Sequence, residues 1–233
     1  MSAPVDAALF LAQTSNDQVP PTSVEADALA NSTTNADDAS RGHSAAAASG
    51  ASELASTKIT LLGALKHFPD FPIPGIDFID ILPLFQDVAI HNALLRALEL
   101  QVLEFGENSK PDVVVGLDAR GFLFGPSLAL RLGASFVPVR KQGKMPGPCV
   151  TAAYEKEYGT DFFQMQEGAV KPGQKVLVVD DIIATGGSAA AAGSLVTQMG
   201  GELLGYLFIL EIAVLNGRSK LGGVPTVTLL ETE

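Results

Sequence analysis

The sequence predicts an α/β fold with a parallel central sheet flanked by helices. The first observation is that residues 113–115 and 176–179 are unbroken valine-rich runs, which have the length and branching of buried strands. The second is that helix-like segments at residues 126–132 and 188–199 follow these runs along the chain. Strands that alternate with helices form a parallel sheet with a helix layer on each face.

The first 57 residues differ from the rest of the chain in composition. They are rich in Ala, Ser, Thr and Asn, and they contain seven acidic residues against a single Arg41. Such a composition predicts a disordered, acidic tail, so the ordered domain is expected to span residues 58–233. A mitochondrial transit peptide would instead be rich in arginine and poor in acids.

The ordered part is expected to begin with a helix from Lys58, whose apolar residues recur at helical spacing up to Leu65. Residues 69–83 contain too many prolines for a helix and too many apolar side chains for a linker, which predicts a packed, irregular lid. A second helix should begin after its capping residue Asp87 and end at Gly106.

The later elements follow from the same patterns. Residues 141–160 contain several glycines and prolines and predict a long loop, and a connection of this length in a compact domain is usually functional. The remaining strands are expected at residues 111–118, 136–140, 162–166, 203–212 and 227–230.

Composition limits the function. The net charge of −11 argues against non-specific binding to nucleic acid or anionic membranes, both of which need a basic surface. The single Cys149 allows no intramolecular disulfide and fits a cytoplasmic protein. No apolar run approaches the roughly 20 residues that span a bilayer. A small-molecule ligand is therefore expected.

Residues 175–188, with the sequence KVLVVDDIIATGGS, combine a strand, two acids and a glycine-rich turn. In open α/β sheets, ligands bind beyond the carboxyl ends of the strands, where Asp180 and Asp181 are expected. The turn at residues 184–188 has two glycines that let the backbone approach an anion, and the next helix would present free N–H groups. Acids that accept from sugar hydroxyls beside such a turn predict a ribose phosphate site.

Other nucleotide-binding motifs fit this turn less well. No lysine follows the glycines as in GxxxxGK[ST], and the spacing GxGxxG is absent. A diphosphate group on the sugar would need its own cations. Arg120 follows the strand at residues 111–118 at the same sheet edge, while Arg140, Lys141 and Lys144 add positive charge nearby.

The pattern of residues 175–188 resembles the signature of the type I phosphoribosyltransferases, in which two acids, two aliphatics and a small residue precede TGG[TS]. Four more segments, FPDFPIPGIDFIDI, GLDARGFLFGPSLA, VRKQGKMPGP and YEKEYG, are similar to the ordered motifs of the adenine phosphoribosyltransferase family. The resemblance covers essentially residues 58–233. It implies a type I phosphoribosyltransferase fold with a small N-terminal hood at residues 58–85 and a flexible catalytic loop.

The resemblance also implies an activity. The protein would transfer the 5-phosphoribosyl group from 5-phosphoribosyl 1-pyrophosphate (PRPP) to adenine, giving AMP and pyrophosphate in purine salvage. It would use Mg²⁺ and act as a cytoplasmic homodimer, with neither nucleic acid nor membrane as a partner. Mg²⁺ would be held mainly by pyrophosphate oxygens and water rather than directly by side chains.

Site residues carry over by the same resemblance. Glu157 would supply proton chemistry at the base, and Arg120 would act on the pyrophosphate group. The substrate-binding positions would be Asp77, Ile79, Arg140, Lys141, Lys144, Tyr158, Asp180, Asp181, Ala184, Thr185, Gly186, Gly187 and Ser188.

One position departs from the family pattern. The family usually has a basic residue before the aspartate of the hood, where this chain has Ile79 before Asp80. The resemblance implies that backbone atoms near Asp77 and Ile79 read the adenine edge, so selectivity for adenine is expected to survive without the electrostatic help of that cation. Two alternatives stay open. One is another base, since hypoxanthine-guanine enzymes commonly carry an acid at the position of Ala184. The other is a ligand-sensing regulator, although the sequence has no added DNA-binding module and no basic surface.

Overall fold

The structure is a computed structural model that describes residues 36–71, 74, 77–103, 105, 110–156 and 159–231. Its α-helices are α1 (Ala36–Ala64), α2 (Pro83–Gln86), α3 (Val88–Leu103), α4 (Gly125–Leu132) and α5 (Gly187–Gln198). Its strands are β1 (Lys66–Pro69), β2 (Asp77–Asp80), β3 (Val113–Leu117), β4 (Ser135–Lys141), β5 (Cys149–Lys156), β6 (Gly159–Gln166), β7 (Lys175–Ile183), β8 (Glu202–Glu211) and β9 (Thr226–Thr228).

Within these ranges the strands form a seven-stranded sheet and a separate two-stranded sheet. The order in the large sheet is β5-β6-β4-β3-β7-β8-β9, and β1 pairs with β2. The strands β4, β3, β7, β8 and β9 are parallel to one another. In contrast, β6 runs antiparallel to β4 and to β5. The predicted α/β fold is confirmed, and the sheet differs from the prediction in its antiparallel edge.

Apolar side chains from the central strands alternate between two cores. Val114 and Leu177 point toward α1, α3 and α4 on one face, whereas Val113 and Val178 pack with α5 on the other face. Because both faces are covered, successive residues are all buried, which explains the unbroken valine runs. The sheet thereby forms a rigid platform whose carboxyl edge is free for ligands.

Helix α1 begins earlier than expected. Order was predicted from Lys58, but the helix starts at Ala36 and runs through the last part of the predicted tail. Leu54 is only 6% exposed, and the Glu53 carboxylate pairs with Arg96 of α3 at 2.9 Å, so tertiary contacts outweigh the low apolar content of this segment. Residues 1–35 lie outside the described part. Of the helices within it, none is long and apolar enough to cross a membrane.

The predicted irregular lid is a hairpin. β1 and β2 pair antiparallel, with His67 opposite Ile79 and Phe68 opposite Phe78. The strands are four residues long and mostly exposed, so they carry no buried alternation that a sequence pattern could reveal. α2 follows at Pro83, and the Asp87 carboxylate then accepts from the Ile90 amide at 2.9 Å, which caps α3 as expected.

The prediction of a long loop at residues 141–160 was wrong for much of this segment. β5 occupies Cys149–Lys156 and pairs with β6 along its whole length. Ala152 and Tyr154 are buried while Ala153 is exposed, so a period of two is present in the sequence but is short and follows a stretch of glycines and prolines. The hairpin of β5 and β6 extends the sheet beside the ligand edge.

Candidate active site

A cleft of about 610 Å³ opens at the carboxyl edge of the sheet, where β3, β7 and α5 meet. The residues around it come from six neighbouring regions, namely the segment after β3, the end of β4, the β5-β6 hairpin, the end of β7 with the turn after it, the start of α5, and β8. They are Asp118, Ala119, Arg120, Lys141, Tyr154, Phe163, Phe208 and residues 180–189.

Residues 184–188 form one wall of this cleft and are called the phosphate loop below. Gly186 has φ of 75°, a left-handed conformation that strains other residues, and it caps the start of α5. The first N–H groups of a helix have no partner inside the helix, and its N-terminus is electropositive. Since the cleft is lined through Ala189, these groups face a space suited to a phosphate.

Asp180 and Asp181 lie within β7 rather than beyond its end as predicted. β8 continues to pair with this part of β7, with Phe208 opposite Asp180 and Leu210 opposite Ile182, and this pairing extends the strand to Ile183. Both acids still line the cleft. The Oδ1 atom of Asp180 accepts from the backbone N–H of Asp181 at 3.0 Å.

Both carboxyl groups have perturbed acidity. Burial raises the pKa of Asp180 well above its ordinary value, and the neighbouring Asp181 charge raises it further. Burial also raises the pKa of Asp181, while the guanidinium of Arg120 opposes this shift. Two adjacent acids of this kind can hold sugar hydroxyls and respond to a bound cation or proton.

Arg120 connects the cleft with a second cavity. Its Nε atom lies 2.6 Å from Oδ2 of Asp181, which is only 3% exposed as a residue. The contact is an ion pair without hydrogen-bond alignment, because this oxygen has no hydrogen-bond partner among the described residues. Gly121 must be small, since an added Cβ would lie 3.0 Å from the Val179 carbonyl oxygen.

The second cavity, called the hood pocket, has a volume of about 360 Å³ and lies under the β1-β2 hairpin. Its walls are mostly apolar, and Phe71 and Phe78 meet edge to face with ring centroids 5.2 Å apart. Such a surface suits a flat aromatic base. The lining residues are Phe68, Phe71, Phe78, Ile79, Asp80, Ile81, Leu82 and Arg120.

The remaining site residues predicted from the sequence do not all lie in the two cavities. Lys141 lines the cleft, whereas the Arg140 Nε atom pairs with Asp118 at 2.9 Å and its Nη1 atom donates to the Lys144 carbonyl at 3.3 Å. Among the described residues, Arg140 and Lys144 do not line the cleft. Oδ2 of Asp77 accepts from Nδ1 of His67 at 2.7 Å. Glu157 and Tyr158 lie outside the described residues.

Sequence reasoning missed the aromatic residues of both cavities. Tyr154 and Phe163 stack with centroids 4.6 Å apart and line the cleft, and Tyr154 donates to Asp161 at 3.1 Å across the hairpin. The alternating burial of β5 was the available signal for Tyr154. Phe68 and Phe71 belong to a motif that the resemblance identified, but nothing in their spacing shows that they enclose a pocket.

Asp180 and Asp181 are candidate metal ligands in the cleft. Within the described residues no group of three His, Cys, Asp or Glu side chains can hold an ion. Mg²⁺ typically binds through one or two carboxylates, substrate phosphates and water. Asp180 and Asp181 provide such carboxylates at the wall of the cleft.

One domain family matches more than half of this chain. The phosphoribosyl transferase domain family matches residues 88–223, which include Arg120, both acids and the phosphate loop. The adenine phosphoribosyltransferase of Yarrowia lipolytica is 58% identical over 170 residues, covering 73% of this chain and 93% of that protein. This chain belongs to the adenine phosphoribosyltransferase family.

Further members of the adenine phosphoribosyltransferase family are similar in sequence and fold. Adenine phosphoribosyltransferase 1 of Saccharomyces cerevisiae is 53% identical over 170 residues, which are 73% of this chain and 90% of that protein. A crystal structure of the S. cerevisiae enzyme, complexed with an imino-altritol bisphosphate and adenine, superposes with a TM-score of 0.73. It is 53% identical and covers 76% of this chain and 99% of that chain. The type I phosphoribosyltransferase fold is thus confirmed.

A more distant adenine phosphoribosyltransferase shows the same fold. The Trypanosoma brucei enzyme, in complex with AMP, pyrophosphate and ribose-5-phosphate, is 26% identical and superposes with a TM-score of 0.65. The alignment covers 75% of this chain and 79% of that chain.

Proposed function

We propose that this protein transfers the 5-phosphoribosyl group of PRPP to adenine, giving AMP and pyrophosphate in purine salvage. The observation that carries the proposal is that Arg120 lines both an acid-bearing phosphate cleft and an apolar pocket. A sugar phosphate and a flat base bound in these cavities would meet at their shared wall. The names of the close relatives support adenine as the base.

The phosphate loop would bind the 5-phosphate of PRPP. The left-handed Gly186 and the free N–H groups at the start of α5 provide donors and a favourable dipole. Thr185 and Ser188 add hydroxyls on the same loop. Asp180 and Asp181 follow along the wall, where ionised carboxylates accept from the 2- and 3-hydroxyls of the ribose.

The reaction exchanges one bond at C1 of the ribose for another. The bond from C1 to the pyrophosphate oxygen breaks, the bond from C1 to N9 of adenine forms, and the proton on N7 of the attacking tautomer passes to a base in the site. Arg120 and Lys141, which line the cleft, would stabilise the negative charge of the departing pyrophosphate. Mg²⁺ bound to pyrophosphate oxygens and water would neutralise more of this charge.

Glu157 would manage the proton at the base. A carboxylate that accepts the N7–H of adenine favours the tautomer whose N9 lone pair attacks, and it takes up this proton as the C1–N9 bond forms. In the reverse direction the carboxylic acid returns the proton to N7 and stabilises departing adenine. Ala184 has no group for this role in the phosphate loop. Tyr154 lines the cleft and donates to Asp161 across the β5-β6 hairpin, which supports a role in covering C1 for the residues between them.

The hood pocket would hold the adenine ring. Aromatic and aliphatic side chains supply its apolar surface, and backbone groups near Asp77 and Ile79 would read the edge of the base. Because Ile79 provides no charge, selectivity would come from hydrogen bonds with the backbone and from the shape of the pocket. We also propose that the enzyme is a cytoplasmic homodimer, because the family resemblance implies both properties.

One assay tests the proposal against its alternatives. The full-length protein is incubated with PRPP and Mg²⁺ and, in turn, with adenine, hypoxanthine, guanine, xanthine or orotate, and pyrophosphate release is measured. Adenine alone should give rapid release together with AMP. Release with another base in preference to adenine would indicate a different transferase, and binding of PRPP without release would indicate a ligand-sensing protein.

A further inference from the structure

A turn after β8 lies directly behind the phosphate loop. The main chain of Gly217 is buried there, and a Cβ built on Gly186 would overlap the Gly217 carbonyl oxygen and lie 2.9 Å from its carbonyl carbon. In the other direction, a Cβ on Gly217 would overlap the Ala184 carbonyl oxygen and lie 2.9 Å from the Gly186 nitrogen. Since the two backbones are in direct contact, the position of this turn determines the position of the loop.

The next residue, Arg218, ties the turn to two strands. Its Nε atom lies 2.9 and 2.8 Å from the two carboxylate oxygens of Glu211, at the end of β8. Its Nη1 atom donates to the Thr226 carbonyl at 2.7 Å, and its Nη2 atom donates to the Thr228 hydroxyl at 3.0 Å. A guanidinium with this many acceptors has little freedom to move.

Glu211 also lies next to the point where the phosphate loop leaves the sheet. It pairs with Ile183, the last residue of β7, and the Ile212 amide donates to the Ile183 carbonyl at 2.9 Å. The ion pair between Glu211 and Arg218 therefore links Ile183, which precedes the phosphate loop, to the turn that contacts Gly186 in the middle of that loop. Among the described residues, neither Glu211 nor Arg218 lines the cleft.

We infer that Glu211 and Arg218 are positioning residues for the 5-phosphate of the sugar substrate, an inference that rests on the proposed function. They act through the backbone of Gly217 on Gly186, and so on the N–H groups that would hold the phosphate. A displaced loop weakens the binding of the sugar phosphate, while the hood pocket keeps its affinity for the base. Their loss changes the KM for PRPP more than kcat or the KM for adenine.

The test compares Arg218→Gln with a matched variant, Arg96→Gln. Arg96 has nearly the same side-chain exposure, 42% against 43%, and it also pairs with a glutamate, but it lies on α3. Arg218→Gln should raise the KM for PRPP about tenfold, with kcat and the KM for adenine within about twofold. Arg96→Gln should leave all three constants unchanged, even if it lowers the unfolding temperature.

Two more variants separate positioning from general stability. Glu211→Gln should reproduce the effect of Arg218→Gln, and the double variant should be no worse than either single one, because the two side chains act as one unit. Arg218→Lys keeps the charge but not the planar geometry, so its KM for PRPP should rise less. If Arg218→Gln fails to fold, the Lys and Glu211→Gln variants decide, and an unchanged KM for PRPP in both overturns the inference.

Direct binding distinguishes this inference from the proposed function. Calorimetry with ribose 5-phosphate should show about tenfold weaker binding to Arg218→Gln than to the unchanged protein, and unchanged binding to Arg96→Gln. If the unchanged protein makes no AMP but binds ribose 5-phosphate about tenfold more tightly than Arg218→Gln does, the proposed function fails and the inference about the loop stands. If it makes AMP and both arginine variants have the same KM for PRPP, the inference alone fails.

Discussion

Nε of Arg120 lies 2.6 Å from Oδ2 of Asp181, and Arg120 lines both the cleft and the hood pocket. The buried acid thus orients a guanidinium that is about half exposed, with a side-chain exposure of 48%. A change at either member should alter the other, since the positive charge of Arg120 lowers the pKa of Asp181 against the effect of burial.

Replacement of Arg120 by glutamine should shift the pH profile of the reaction. Without the guanidinium, the pKa of Asp181 rises further, so the carboxyl group becomes protonated at a higher pH. The acidic limb of kcat/KM for PRPP should therefore move to higher pH, and the plateau should fall about ten- to a hundredfold. Steady-state kinetics across pH measure both effects.

Arg131→Gln is the control for this change. Arg131 lies on α4, its Nη1 atom is 3.7 Å from Glu99, and it is not among the described residues that line the two cavities. Its profile should match that of the unchanged protein. An unshifted acidic limb in Arg120→Gln would show that Asp181 does not titrate in the productive complex.

Asp180→Asn should make the ligand-free protein more stable and less active. Because the folded-state pKa of Asp180 is raised, its contribution to stability is complete below the unfolded pKa of about 3.9 and is lost as the pH rises through the folded pKa. Asparagine avoids that loss. Thermal unfolding near neutral pH should occur at a higher temperature in the variant, and the difference should disappear as the pH approaches about 4.

The activity of Asp180→Asn should fall, since a charge-assisted hydrogen bond to the sugar is worth about 1.5 to 3 kcal/mol. This corresponds to about a ten- to hundredfold loss in kcat/KM. Asp87→Asn keeps an oxygen that can cap α3 and serves as the control, with no gain in stability and normal activity. Normal kinetics in Asp180→Asn would show that the Asp180 carboxylate does not bind the sugar.

Glu157→Gln should lower kcat by at least about a hundredfold, because general acid–base groups contribute roughly 10² to 10⁴ in rate. Glu155→Gln is the matched control, two residues away in the same segment, and it should stay within about threefold of the unchanged enzyme. Both variants are compared by steady-state kinetics at saturating adenine and PRPP. Equal activity of the two, or a larger loss at Glu155, would disprove the assignment of Glu157.

Deletion of residues 1–57 should destabilise the protein while leaving its catalytic constants within about threefold. The deletion removes the buried Leu54 and the Glu53 carboxylate that pairs with Arg96, and loss of a buried leucine side chain costs about 2 to 5 kcal/mol. Deletion of residues 1–35 keeps these contacts and should preserve the unfolding temperature. Calorimetry measures the unfolding temperature, and the pyrophosphate assay measures the catalytic constants. A collapse of activity in either protein that still folds would place the tail in the site.

The sequence was most informative where local pattern and tertiary environment agree. The valine run that leads to Asp180 is buried on both faces, and Gly186 after it has a left-handed conformation and a close backbone neighbour that favour glycine. It was least informative where distant residues meet. Phe71 and Phe78 form a pocket wall, and Arg218 reaches Glu211 and Thr228, but neither contact has a periodic signature. Glu53 and Leu54 form part of the packed structure although their segment has the composition of a tail.

The β1-β2 hairpin is a sheet of its own, connected to the large sheet by chain but not by strand pairing. One consequence concerns how such enzymes diversify. Apart from Arg120, the residues that line the hood pocket lie in one short stretch, residues 68–82, while the phosphate loop and the turn behind it are encoded far downstream. Under the proposed function, substitutions within that stretch should alter the choice of nucleobase and leave the sugar phosphate chemistry intact, so a foreign hairpin grafted onto this sheet should give a transferase of new specificity.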